Sequence, residues 1–301
     1  MGVTKEIWAN HIVGGLFASN SVLSKVFRAD DYVNGKTVHI PNAGAASGLQ
    51  KNRSSVPASA KKRTDTDVTF QIDEFTTDPI YIPNAETIEL SYDKRESVLG
   101  QDRLNLEDNV TEAAIKNWFP SAKSVIETTG AEVDAYTSAE ATGKRKGLCK
   151  ADVLALMTKF NGQNVPQKER DLLLDAQMYS QLLESLTENE SSAFSNSVDT
   201  ENGIVGKLYS FNVMLRSRVA VVTNAKAVKE WSEKGAATDC AAALAFHKNS
   251  LCAALGAVKV FENEGDPQYY GDIYSFLVRA GSSKMRTDEK GIVALVQGAA
   301  A

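Results

Sequence analysis

The chain has 301 residues, with 33 Lys and Arg against 38 Asp and Glu and a formal net charge of −5 at pH 7. That length suits one large domain or two interleaved smaller ones, and a composition 43% hydrophobic and 24% charged excludes disorder and fibrous repeats. A net acidic chain has no overall basic field to hold a nucleic-acid backbone, so any such contact is local.

Cys149, Cys240 and Cys252 form neither an even framework nor a pair with metal-ligand spacing, and are expected to be reduced thiols. The N-terminal stretch lacks a basic leader followed by a long apolar core, and Glu6 stands where a myristoylation signal needs Ser or Thr. No segment approaches about 20 apolar residues, so no membrane span is expected.

In chain order, Lys5 to Phe27 carries an uneven apolar set around Gly14-Gly15, which reads as an arm that packs on something else rather than a free-standing helix. VNGKTVHIPNAG reads as a strand entered through the Asn34-Gly35 turn. From Ala43 to Thr64 the chain is small and polar, with Lys51, Arg53, Lys61, Lys62 and Arg63 and no acid. Such a stretch buries too little apolar surface to order itself. TDVTFQID and PIYIPNAETIEL follow as two more strands, completing a β arm with a basic tip.

From Asp93 to Phe119 the period changes to that of a helix. Leu99, Leu106, Val110, Ala113 and Trp118 form the stripe, Leu104, Ala114 and Ile115 widen it, and Pro120 ends it. Asp102, Glu107, Asp108 and Glu112 are expected on its exposed face. GKRKG (143–147) reads as a basic turn, Lys150 to Phe160 as an amphipathic helix, RDLLLDA as a buried strand and AQMYSQLLESL as a helix. KLYSFNVMLRSRVAVV reads as a bent strand. ALAFHKNSLCAALGAVKVFE reads as strand, short helix and strand with Asn249 or Ser250 as cap, and YYGDIYSFLVRAG and GIVALVQ as closing strands. Separated strands, one long helix and no repeat give an α+β fold class.

Signatures of catalysis are weak. Gly35-Lys36-Thr37 mimics part of a phosphate loop, but Asp30 stands where the first glycine belongs and a strand follows instead of a helix. His11, His39 and His247 lie in dissimilar contexts, and His247 reads as a strand-end residue satisfied by backbone. Cys252, between Leu251 and Ala253, reads as a small buried hydrophobe, and Glu184, Glu188 and Glu190 as a solvated helix face ending in the loop ENESS. No catalytic, cofactor-binding or metal-ligating residue is assigned, no cofactor is expected, and the chain is read as not an enzyme.

The conjunction of Trp-containing arm, GKTVHIPNAG strand, basic loop, strand pair and acidic long helix ending near Trp118 resembles tailed-phage major capsid proteins of the Hong Kong 97 type. That fold also occurs in gene-transfer agents and encapsulins. RDLLLDAQMYSQLLESL, GIVGKLYSFNVML, ALAFHKNSLCAAL, YYGDIYSFLVRAG and GIVALV carry the resemblance over nearly the whole chain. It implies an N-terminal arm (1–34), an extended loop (35–90), a peripheral domain with a spine helix (91–147 and 267–301) and a central axial domain (148–266). It also implies self-assembly as pentamers and hexamers into an icosahedral shell around double-stranded DNA, touched without specificity. Scaffolding, portal and decoration proteins are expected partners, and the virion the final location after assembly in the host cytoplasm. A fused scaffolding segment, present in some members, is expected here to be cleaved or a separate protein. Inter-subunit contact is expected between Lys51, Arg53, Lys61, Lys62 or Arg63 and Asp102, Glu107, Asp108 or Glu112 of a neighbour. The alternatives are an encapsulin-like compartment shell and an unrelated cytosolic α+β enzyme.

Overall fold

A computed structural model describes residues 2–42, 51–52, 54, 66–83, 94–230 and 232–299. The N-terminal segment, expected as an arm that packs on something else, is a helix, α1 (Gly2–Leu16). Ile12 and Leu16 are buried in the main core, which supplies the partner surface that the uneven stripe lacks by itself. The Gly14-Gly15 pair does not break the helix. At Gly15 a Cβ would collide with the Glu107 carboxylate, so the glycine permits a close helix–helix approach.

Strands β1 (Phe27–Arg28) and β2 (Val33–Asn34) lead into β3 (Thr37–Asn42) through a two-residue turn, with Gly35 at φ +65° in the first central position. Strand β3 pairs antiparallel with β4 (Thr66–Gln71), Val38 opposite Phe70 and Ile40 opposite Val68, and the chain continues into β5 (Asp73–Thr76) and β6 (Ile80–Pro83). The inward residues Val38, Ile40 and Ile72 share a small core with Ala29, Cys252 and Ala254.

The long helix α2 (Lys94–Trp118) fills the span expected of it. Its buried stripe is Leu106, Val110, Ala114, Ile115 and Trp118, and the Trp118 indole donates to the Cys252 carbonyl at 2.9 Å. Leu104, expected in the stripe, is exposed. It sits two residues from Leu106, about 200° around the helix, and so faces the other way.

Next come β7 (Val125–Glu127), β8 (Glu132–Asp134) and β9 (Lys144–Lys146). The GKRKG segment is thus a strand and not a turn. Lys144 and Lys146 face Asp134 and Glu132 across the ladder, while Arg145 is buried and donates to the carbonyls of Ala237 and Asp239. Helix α3 (Lys150–Gly162), strand β10 (Arg170–Asp175) and helices α4 (Ala176–Ser185) and α5 (Glu188–Ser195) follow. Helix α5 corrects the reading of ENESS as a loop. Thr187 and Glu190 form a reciprocal capping box, and Glu190 also holds Lys150 at 2.8 Å.

The bent strand is instead a hairpin, β11 (Ile204–Leu208) and β12 (Phe211–Arg216), turned by Tyr209 and Ser210, both at positive φ. Strands β13 (Ala220–Val222), β14 (Cys240–His247), β15 (Leu251–Asp266), β16 (Gly271–Lys284), β17 (Ile292–Val296) and β18 (Gly298–Ala299) complete the described chain. The short 3-10 turn before β15 is capped by His247, whose Nδ1 accepts from the Asn249 amide at 3.2 Å; neither Asn249 nor Ser250 is the cap.

Two larger sheets organise most of these strands, beside the three-stranded sheets β2-β3-β4 and β18-β9-β8. One runs β1-β15-β16, with β5 and β6 pairing successive lengths of β16; the other runs β11-β12-β10-β14-β17-β7, with β13 on β14. Strand β14 explains its own nearly unbroken apolar run. Ala241, Ala243 and Ala245 face the core under α3, α4 and α5, while Ala242, Leu244 and Phe246 face the core that holds α1 and α2. The hydrogen bonding cuts across the boundary at 266/267. Strand β15 pairs along its length with β16, and β17 pairs with β14, so each sheet joins segments that the sequence division separates.

Candidate assembly surfaces

The four carboxylates singled out on α2 do not share one environment. Asp108 is exposed and accepts from Arg216 of its own chain at 2.8 Å. Glu107 is tucked against Gly15 of α1 and lies 3.4 Å from Arg103; burial raises its pKa despite that arginine. Glu112 is also only partly exposed, and burial pushes it up to about 7, against the lowering pull of Arg216 and Arg218. Asp102 is raised first by burial and then by Asp78. The expected solvated acidic face is therefore a partly desolvated one. Of the five bases, Lys51 is exposed, while Arg53, Lys61, Lys62 and Arg63 lie outside the described residues.

Asp102 and Glu112 line an open groove of about 890 Å³ between α2 and the segment from Glu74 to Ile80. Glu74, Asp78 and Glu230 add three more carboxylates, and Lys116 is the one cation on its wall among the described residues. Lys116 is engaged by Glu230, and Glu74 by Arg279 at 2.8 Å. From Asp102 to Glu112 the groove presents an acidic surface nearly three α-helical turns long, about 15 Å. Nothing in local sequence joins Glu74 and Asp78 to α2; β5 does so by pairing with β16, which packs on the helix.

A second surface lies at the tip of the β15–β16 hairpin. At roughly 3.3 Å per residue this hairpin is about 50 Å long. Its tip exposes Tyr269 and Tyr270, the latter 78% accessible, with exposed Tyr81 beside Tyr269 at 6.0 Å between ring centres. The turn is over-determined. The Asp266 carboxylate accepts from the amides of Gln268 and Tyr269, Tyr270 donates its amide to the Asp266 carbonyl, and the Tyr81 hydroxyl donates to the Tyr269 carbonyl. Tyr270 is held at φ +53°, a conformation unfavourable for an aromatic residue. Sequence reading missed this site, although the adjacent tyrosines beside Asp-Pro were a legible turn signal.

The residues weighed for catalysis take structural places. His247 is buried and burial lowers its pKa, Cys252 is fully buried with its thiol pushed up to about 12, and Glu190 is held down to about 2 by Lys150 and the Thr187 cap. Among the described residues no cluster of three His, Cys, Asp or Glu has metal-ligand geometry, and no helix is long and apolar enough to cross a membrane.

No family profile and no curated protein matches the chain. Solved structures do. The capsid of cyanophage P-SCSP1u matches at TM-score 0.61 and 15% identity, over 92% of this chain and 87% of that one. The chain has the fold of phage capsid subunits. The capsid of Ralstonia phage GP4 matches at TM-score 0.61 and 14% identity, over 95% and 89% of the two chains. A virus-like particle from Pyrococcus furiosus matches at TM-score 0.55 and 11% identity, over 97% and 99%. In this capsid fold α2 is the long helix backed by the β15–β16 hairpin, with the acidic groove along its flank.

Proposed function

We propose that this chain is the major capsid protein of a tailed phage, a structural and non-enzymatic subunit that assembles with itself into the icosahedral shell around a double-stranded DNA genome. The carrying observation is a capsid fold that accounts for about nine-tenths of this chain and of the phage capsid chains alike. The exposed aromatic tip and the acidic groove support it, since surfaces of that kind on one copy call for a partner. The proposal divides the chain into an arm (1–34), an extended loop (35–90), a peripheral part built on α2 and the central part (148–266). The sheet pairings argue for counting β15 with the peripheral part and β17 with the central one.

Copies would associate as pentamers and hexamers, with portal and scaffolding proteins during assembly in the host cytoplasm, possible decoration proteins afterwards, and DNA as a non-specific neighbour in the virion. The basic segment Lys51 to Arg63 of one copy would seat in the acidic groove of the next, against Asp102 and Glu112. Asp108 and Glu107, engaged within their own chain, would contribute at its margin. Contacts of this heterologous kind close into rings and shells when each copy both gives and receives.

The Pyrococcus particle carries the second reading, a compartment shell. Purified chain, supplied with its scaffolding protein, should yield closed particles in negative-stain images and a rise in light scattering. Persistent monomers or dimers would refute the shell reading. Particles filled with an enzyme rather than DNA in the native source would favour the compartment.

A further inference from the structure

Glu112 sits on the groove wall with charges on every side. On α2, Asp108 lies one turn before it, Lys116 one turn after, and Asp102 further back. Arg216 and Arg218 approach from the end of β12, Glu74 and Asp78 from β5 and the link beyond it, and Glu230 from the loop after β13. Two of the cations around the groove are engaged with other carboxylates. Arg216 donates to both the side chain and the main-chain carbonyl of Asp108, and Lys116 pairs with Glu230. Glu112 therefore stands at the edge of an open acidic cavity, partly desolvated and only partly compensated.

Resting on the groove-docking reading above, we propose that seating the basic segment of a second copy in this groove is coupled to release of a proton from Glu112. Association of copies then strengthens as pH rises through neutrality. In the free groove burial pushes the Glu112 carboxyl up to about 7, against the pull of Arg216 and Arg218, so that it can hold a proton near neutral pH. An arriving ammonium or guanidinium group favours the ionised carboxylate, so the proton leaves as the contact forms. By linkage, the association constant rises up to about tenfold per pH unit below 7 for one proton per copy, and levels off above. A neutral occupant would give the opposite sign, because covering the carboxylate without a counter-charge holds it protonated.

The critical concentration for assembly, with scaffold supplied and ionic strength fixed, should be measured by light scattering from pH 6 to 8. For the wild type it should fall several-fold over that range, and for Glu112→Gln it should be flat. A pH indicator in weak buffer at pH 7 should also report protons released as wild-type particles form, a readout that does not depend on the variant folding. A flat wild-type profile, a rise with pH, or a slope unchanged in Glu112→Gln would overturn the coupling while leaving particles in the images. Absence of particles at every pH would overturn the shell reading and the coupling together.

Discussion

Arg170 opens β10 in full burial, and neutral groups hold it. Its Nε donates to the Pro166 carbonyl at 2.8 Å, Nη2 to the Val165 carbonyl at 2.7 Å and Asn161 Oδ1 at 2.8 Å, and Nη1 to Ser210 Oγ at 3.1 Å. Its guanidinium lies 5.4 Å and 5.7 Å from the ring centres of Phe160 and Phe211. The residue therefore ties the end of α3, the start of β10 and the β11–β12 turn into one joint. Removing it forfeits four charge-assisted hydrogen bonds, two of them to main-chain carbonyls and each worth roughly 1.5–3 kcal/mol, but also relieves the several kcal/mol of desolvation that a buried cation carries. Arg170→Met, which keeps the apolar stem, should destabilise by about 1–3 kcal/mol. Arg170→Ala, which also opens a cavity beside two phenylalanines, should reach about 3–5 kcal/mol. Urea unfolding of the soluble subunit, followed by tryptophan fluorescence, measures both. Equal losses for Met and Ala, or losses under about 0.5 kcal/mol for both, would refute a packed joint.

Reversing Lys61, Lys62 and Arg63 to Glu should leave the subunit folded by circular dichroism but slow particle formation at low salt, as high salt should for the wild type. Unchanged rates would leave the segment a solvated loop. Tyr270→Gly should raise the melting temperature slightly, since glycine accepts φ +53° at about 1 kcal/mol less strain, while reducing assembly. Alkylation without reductant should modify Cys149, Cys240 and Cys252 completely once the chain is unfolded and spare Cys252 in the native subunit, as mass spectrometry would show. Glu289 is raised by burial but lowered further, to about 2, by Lys284 and by the Ser121 amide and hydroxyl. A depressed carboxylate stabilises above its unfolded pKa of about 4.5 and loses that stabilisation as pH falls towards 2. The melting-temperature gap between wild type and Glu289→Gln should therefore close across that window.

Elements with a strong period were legible in the sequence. The α2 stripe, the alternation of β3 and β4, and the Leu172–Leu174 run of the wholly buried β10 each declare themselves within one segment, because near neighbours in sequence suffice to define a buried face. What escaped depends on distant partners. Gly14-Gly15 reads as a break until Glu107 is placed beside it, and GKRKG reads as a turn until Asp134 and Glu132 are placed across from it. The Tyr209-Ser210 turn escaped because neither residue favours positive φ. Two of the five carboxylates of the acidic groove were visible as Asp102 and Glu112; Glu74, Asp78 and Glu230 join it only through sheet pairing and loop packing.

The strength of these surfaces matters as much as their placement. An exposed ion pair contributes only about 0–1 kcal/mol, so a basic segment in the groove is individually weak and screened by salt. A shell benefits from that weakness, since a misplaced copy can dissociate before it is enclosed, whereas a completed ring holds each copy on both sides. The rigid parts supply the register that weak charges cannot. Helix α2 is locked to β16 and, through Trp118, to β15, so the groove and the tyrosine tip sit at fixed places on one stiff body. In the proposed shell charge would steer approach and the aromatic tip would fix the seated contact, and loosening Trp118 should harm assembly even though its side chain is wholly buried within its own chain.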